Sequence, residues 1–299
     1  MNRESVAKNI MDVLQKCFKD DNIEIQKTER LGGLTNKNFM VDTNLGCFVV
    51  RFPGYGTEEF INREDERIST LLANNLKIDS ELLYFDSKSG IKIAKYIENA
   101  DTMSKDKFRG NKKQLKNVAE VFRILHNSQV DTKVKFDVFK MVKEYENIIQ
   151  KSNGQFWKDY SKIHYHVIRL KNQLDQKGVV LSPCHNDPLC ENFILGKNKL
   201  YLTDWEYGGM NDPMWDLADF IIEAELDTLE EKNLVEYYCT IIPSEDVYRR
   251  ININKVFVDF LWALWALMKY SLENEKEMID WANERYERAI MNLNKLVKI

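Results

Sequence analysis

The sequence predicts an α+β chain of two lobes: a small β-rich lobe over residues 1–98 and a larger, mainly helical one over residues 99–299. Three observations predict it. Apolar and polar residues alternate with the period of a strand through residues 23–52, and strand-like runs return through residues 81–97. From Lys112 the apolar spacing changes to that of helices. A short β-rich island, residues 190–205, interrupts the helical part around a Gly-Lys-Asn-Lys turn.

Each element follows in order. The first eighteen residues space their apolar positions by three and four and carry acids between them, which predicts an amphipathic helix and not a signal peptide. IEIQKTERL, NFMVDT and CFVVRF read as strands, the first two separated by the turn GGLTNKN. Thr57 is placed to cap a helix through FINREDERISTLLANN. ELLYFDS and IKIAKYI are two further strands, and the join between lobes falls near Ile97–Ala100. LKNVAEVFRILHNS, VFKMVKEYENIIQ and YSKIHYHVIRLKNQL are helices, and the chain is helical again from Asp216. The apolar tract Val256–Met268 is broken by Asp259 and is too short to span a bilayer.

Composition narrows the function. A net charge of −4 with dispersed Lys and Arg leaves no basic footprint for nucleic acid. Five cysteines, an odd number with no Cys-x-x-Cys pair, predict reduced thiols and a cytoplasmic protein, without disulfides or a zinc site. No membrane insertion is expected.

The strongest chemical signal is CHNDPLCENFILGKNKLYLTDWE. His185, Asp187 and Asn192 form His-x-Asp-x-x-x-x-Asn, and Asp204 follows on the next strand. Phosphoryl transfer needs one carboxylate at the acceptor hydroxyl and hard oxygen ligands for Mg²⁺ on the phosphates of ATP. Asp187 suits the first role; Asn192 and Asp204, brought together by a hairpin, suit the second. A polar loop whose Asp and Asn only cap turns would share the letters but would not require the hairpin and the second Asp. Upstream, GGLTNKN can fold over phosphates through backbone N–H groups, although such a turn is more often a plain hairpin. Arg51, on an apolar strand, needs an anionic partner unless it sits at a strand edge and reaches solvent. Glu66 is the first candidate and Glu64 the competitor.

Together these residues resemble the choline/ethanolamine kinase family, within the aminoglycoside-phosphotransferase and protein-kinase-like superfamily, over essentially the whole chain. LGGLTNKNF, VVRF, INREDE, CHNDPLCENFI and YLTDWEYGGMNDPMWDLADF carry the resemblance. It implies a protein-kinase-like fold and ATP-dependent phosphorylation of choline. Gly33, Thr35, Asn36, Asn38 and Arg51 would hold phosphates, with Glu66 pairing Arg51, and main chain near Lys95 and Ile97 would bond the adenine edge. It also implies a choline pocket of Tyr207, Trp262, Trp265, Trp281 and Glu223. A trimethylammonium has no N–H to donate, so π faces and a carboxylate suit it; Trp262 and Trp265, three apart on one helix, would equally suit a core. Asn186 replaces the Gly that broad relatives often carry. His126 is expected to tie a helix to the catalytic loop, and Glu206 either to orient a neighbour or to touch substrate. Other acceptors, ethanolamine or an aminoglycoside, and a catalytically silent binding module are the alternatives.

Overall fold

A computed structural model describes residues 3–32, 36–54, 57 and 60–297, with side chains from residue 7 onward. Gly33 and Thr35 lie outside the described residues. Two compact units divide the chain: Met1–Met103 with Glu191–Gly208, and Ser104–Cys190 with Gly209–Ile299.

In the first unit, β1 (Ile25–Arg30), β2 (Lys37–Thr43), β3 (Gly46–Phe52), β4 (Leu82–Asp86) and β5 (Ile91–Lys95) form one antiparallel sheet in the order β1-β2-β3-β5-β4. Alternation along β2 and β3 turns Phe39, Val41, Phe48 and Val50 to one face. There they join Ile10 and Leu14 of α1 (Arg3–Phe18) in a buried cluster. Each such side chain contributes roughly 1.5–3 kcal/mol on burial. By the same alternation, Arg51 points to the opposite face.

The helix α2 (Arg63–Asn75) starts later than its sequence suggests. Its N-cap is Asn62, whose side chain accepts the N–H groups of Glu64 and Asp65 at 3.0 and 3.4 Å. Thr57 is not the cap. Its hydroxyl donates to the Gly54 carbonyl at 2.8 Å and accepts from Arg63. The remaining sheet of this unit joins β6 (Asp101–Thr102), β8 (Phe193–Leu195) and β9 (Leu200–Leu202).

The second unit contains α3 (Lys105–Phe108), α4 (Lys112–His126), α5 (Val138–Lys151), α6 (Tyr160–Lys177), α7 (Met214–Glu223), α8 (Thr228–Cys239), α9 (Glu245–Glu273) and α10 (Lys276–Leu296). A two-stranded pair, β7 (Ser182–Cys184) with β10 (Gly209–Asn211), accompanies them. The apolar tract is the middle of α9, a 29-residue helix and not a short one. By length and composition α9 could cross a membrane, but 89% of its most apolar window is buried inside the protein. Asp259, which interrupts the tract, is fully buried and ion-paired with Arg285 and Arg288. Trp157 stacks on Tyr286 at 3.9 Å, while Trp205 and Trp215 are fully buried packing residues.

Candidate active site

In the first unit the charged residues gather where β3, α2 and the β8–β9 hairpin meet. Arg51 is 2% exposed, and its guanidinium is ion-paired with the fully buried Glu66. It also lies 3.3 Å from Asp204, donates to the Gly90 carbonyl at 3.1 Å and covers the Phe85 ring at 5.8 Å. Glu66, not Glu64, is therefore its partner; Glu64 is exposed and engages Arg67. Two residues apart on a helix, the two glutamates face different ways, and only the fold selects one. Arg63 takes the second Glu66 oxygen at 2.8 Å. Burial opposes ionisation of Glu66, but Arg51, Lys92 and Arg63 outweigh it and hold the carboxyl below the ordinary range.

The hairpin supplies Asn192 and Asp204. The Asn192 carbonyl accepts both the N–H and the hydroxyl of Thr203, at 2.9 and 3.0 Å, which sets Asn192 opposite the residue before Asp204. Leu202 N–H anchors the hairpin to the Ile78 carbonyl at 2.8 Å. Asp204 itself has φ 67°, a left-handed backbone that Asp adopts more readily than most residues. Asn36 is buried, and its amide donates to Glu206 at 3.1 Å and, weakly, to both Asp204 oxygens at 3.4 Å. Glu206 lies 3.7 Å from Arg63, so it has an ion-pair neighbour. Burial, reinforced by the Asp204 charge, pushes its carboxyl up to about 7. The turn after Asp204 presses close to α2: a Cβ on Gly208 would stand 2.5 Å from that of Ser69, whose hydroxyl donates to the Gly208 carbonyl.

Asn38 donates to the Gly32 carbonyl at 3.2 Å, pinning the start of the glycine turn. At the end of the sheet, Lys95 N–H donates to the Glu81 carbonyl at 2.8 Å and the Ile97 carbonyl accepts from Ala100 at 3.1 Å. Tyr207 also belongs to this unit.

In the second unit Asp187 follows β7 in a tightly determined loop. Asp216, fully buried at the start of α7, accepts the N–H groups of His185 and Asn186, each at 2.8 Å. His126 reaches the same carboxylate at 3.0 Å, so it ties α4 to the loop through Asp216 rather than directly. Asn186 has φ 69°, the region that explains why Gly can stand there. Asn offers more: its side chain donates to the Gly209 carbonyl at 3.3 Å and accepts from Asn211 at 2.9 Å. Asp187 N–H then meets His185 Nδ1 at 3.3 Å, with its side chain half-buried.

The tryptophans are also here. Trp262 and Trp265 of α9 meet edge to face at 6.4 Å, and Trp265 meets Trp281 of α10 at 5.8 Å and 89°. Glu223, at the end of α7, is ion-paired with Arg285, and that guanidinium lies 4.5 Å over the Trp281 ring. Sequence reasoning missed Arg63, Asp216 and Arg285. The signal was present for Asp216, an acid embedded in the apolar run MWDLADFII, which demands a partner.

An arginine–glutamate pair behind an antiparallel sheet, a His-x-Asp loop and an Asn–Asp hairpin define a phosphotransferase of the protein-kinase-like, two-lobed class. The chain belongs to the choline/ethanolamine kinase family, whose model matches residues 28–246. It is similar to the protein LicA of Haemophilus influenzae, 29% identical over 269 residues, 88% of this chain and 100% of that protein. The crystal structure of choline kinase LicA from Streptococcus pneumoniae superposes with a TM-score of 0.82 at 32% identity, covering 97% of this chain and 99% of that one. A structure of LicA in complex with AMP gives 0.79 at 31% identity over 97% and 98%. A spectinomycin phosphotransferase at 16% identity, TM-score 0.62, shares the fold.

Proposed function

We propose that this kinase transfers the γ-phosphate of ATP to the hydroxyl of choline, giving phosphocholine and ADP. The observation that carries the choice of acceptor is the edge-to-face run Trp262–Trp265–Trp281, with Trp265 and Trp281 only partly buried. Such faces attract a cation that has no N–H to offer a carboxylate. Tyr207 and Glu223 complete the proposed acceptor residues. A polycationic aminoglycoside would want several uncompensated carboxylates, whereas Glu223 and Asp259 are both held by arginines.

Asp187 orients the choline hydroxyl and accepts its proton. Asn192 and Asp204 are the residues that would hold Mg²⁺. Both offer hard oxygen donors on one hairpin, and Asp204 is partly exposed, with Arg51 and the Asn36 amide at 3.3 Å or more, which leaves room for a cation. Bound there, Mg²⁺ neutralises phosphate charge. Arg51, oriented by Glu66, positions phosphates with the turn that includes Gly33, Thr35, Asn36 and Asn38. Main chain at Lys95 and Ile97 meets the adenine edge. Among the described residues the five cysteines form no disulfide, which suits a cytoplasmic site of action.

The test is ADP formation across choline, ethanolamine and an aminoglycoside panel, repeated with Trp265→Ala. Choline should give the highest kcat/KM. The variant should raise KM for choline by about 5–30-fold, the worth of roughly 1–2 kcal/mol of cation–π contact, and leave KM for ATP unchanged. Preference for an aminoglycoside, or a variant that is destabilised with an unchanged choline KM, would overturn the acceptor assignment.

A further inference from the structure

The charges beside the tryptophans are already spent. Glu223 is ion-paired with Arg285. Arg285 also lies 3.4 Å from Asp259, and Asp259 accepts from Arg288 at 2.9 and 2.7 Å. Among the buried side chains two carboxylates face two guanidiniums, with the exposed Glu284 at the rim 3.7 Å from Arg288, so Glu223 is already paired. A cationic acceptor placed there would meet buried charges that already balance.

Asp219 breaks that balance. It stands on α7 one turn before Glu223, on the same face. It is fully buried, and neither of its oxygens has a hydrogen-bond partner among the described residues. An acid left so is costly, and α7 is otherwise apolar between Leu217 and Ile222. An alanine or leucine would pack there at no such cost, so packing gives no reason for an acid at this place. The groups acting on it are Glu223, Asp187 and Asp216, which repel its charge, and Arg285, which attracts it without bonding it. Burial first, then Glu223 and Asp187, push its carboxyl well above the ordinary range. A carboxyl buried without a hydrogen-bond partner and facing three other acids favours its protonated form when no ligand is bound. Its electrostatic neighbours include both the carboxylate proposed for the acceptor hydroxyl and the one proposed for its cationic head. An amino-alcohol has to span those two positions.

We infer that Asp219 is the counter-charge for the cationic head of the acceptor, neutral when the site is empty and ionised when a cation lies beside the tryptophans, while Glu223 stays with Arg285. The inference rests on the amino-alcohol reading above and deepens it. One O–H bond of the Asp219 carboxyl breaks, and the proton passes to solvent buffer; nothing else changes covalently. Acceptor uptake is therefore accompanied by proton release. Choline affinity rises with pH until the carboxyl of the empty site is itself ionised.

The decisive measurement is isothermal titration of choline into the full chain at neutral pH, in phosphate and in Tris. The two buffers differ in ionisation enthalpy, so the pair of heats counts protons. Wild type should release close to one proton per choline bound. Asp219→Asn, nearly isosteric, should release none and bind choline at least about tenfold more weakly. It should keep its KM for ATP and its affinity for 3,3-dimethyl-1-butanol, the neutral isostere. Glu223→Gln should lower the unfolding midpoint by leaving Arg285 with only its longer contact to Asp259, and retain the proton count. Choline affinity within about twofold of wild type in Asp219→Asn, or no proton release by wild type, overturns the assignment of Asp219. If Asp219→Asn does not fold, the wild-type proton count alone decides. Choline-dependent ADP formation together with choline binding that releases no proton removes Asp219 and leaves the function standing. Absence of both choline binding and choline-dependent ADP formation in wild type overturns the function and this inference together.

Discussion

At the scale of the residue, the site turns on ions taken out of water. Arg51 and Glu66 are almost completely buried, and each holds the other's charge. A pair of this kind adds little net stability over an apolar pair, yet breaking it is expensive, about 3–5 kcal/mol, because the survivor stays buried and uncompensated. The folded-state carboxyl of Glu66 is depressed, so its stabilising contribution is complete above the usual carboxylate pKa and is lost as pH falls through the depressed value. Glu66→Gln should therefore lower stability at neutral pH and flatten the acid limb of the stability curve. Chemical denaturation of both proteins from neutral pH into the acid range checks this; parallel curves would contradict the pair's role. Arg51 was legible in the sequence as a cation on an apolar strand. That Glu66 and not Glu64 answers it was not, since the choice depends on which helix face meets the sheet. Asp219 was passed over although the apolar run MWDLADFII that marks Asp216 marks it as well.

At the scale of the element, the strands were legible because burial on one face of a sheet writes a period of two into the chain, and β2 and β3 obey it. The start of α2 was misread. Thr57 is a good capping residue, but five positions intervene before the first buried helical residue, and Asn62 does the capping. Asn62→Ala should cost about 1 kcal/mol of stability. Thr57→Ala acts elsewhere, by removing an acceptor from Arg63. Comparing the two variants by thermal unfolding, with amide exchange at Glu64 and Asp65, separates the roles: only Asn62→Ala should speed exchange at those two amides. The long helix α9 was legible as helix but not as a platform, because Asp259 reads as an interruption until Arg285 and Arg288 arrive from α10.

At the scale of the whole molecule, local pattern gave way to connections between distant segments. The β8–β9 hairpin is fastened by Leu202 to Ile78 and by Thr203 to Asn192 through hydrogen bonds of its own. Chelating Mg²⁺ should consequently stop turnover while the unfolding midpoint, measured without nucleotide, moves little. A large drop on chelation would make the metal structural. The same fastening has a consequence for biosynthesis. The first unit is written in two pieces, Met1–Met103 and Glu191–Gly208, with much of the second unit between them. On a ribosome adding roughly 5–20 residues per second, the amino-terminal sheet emerges well before the strand that must pair with β6 and before the aspartate that faces Arg51. Until residue 208 has cleared the exit tunnel, the nascent sheet carries a buried-type arginine short of one anion, and β6, outside that sheet, stands without the strand it pairs with. That interval is when a chaperone has most to protect, and a translational pause placed inside it would lengthen the exposure.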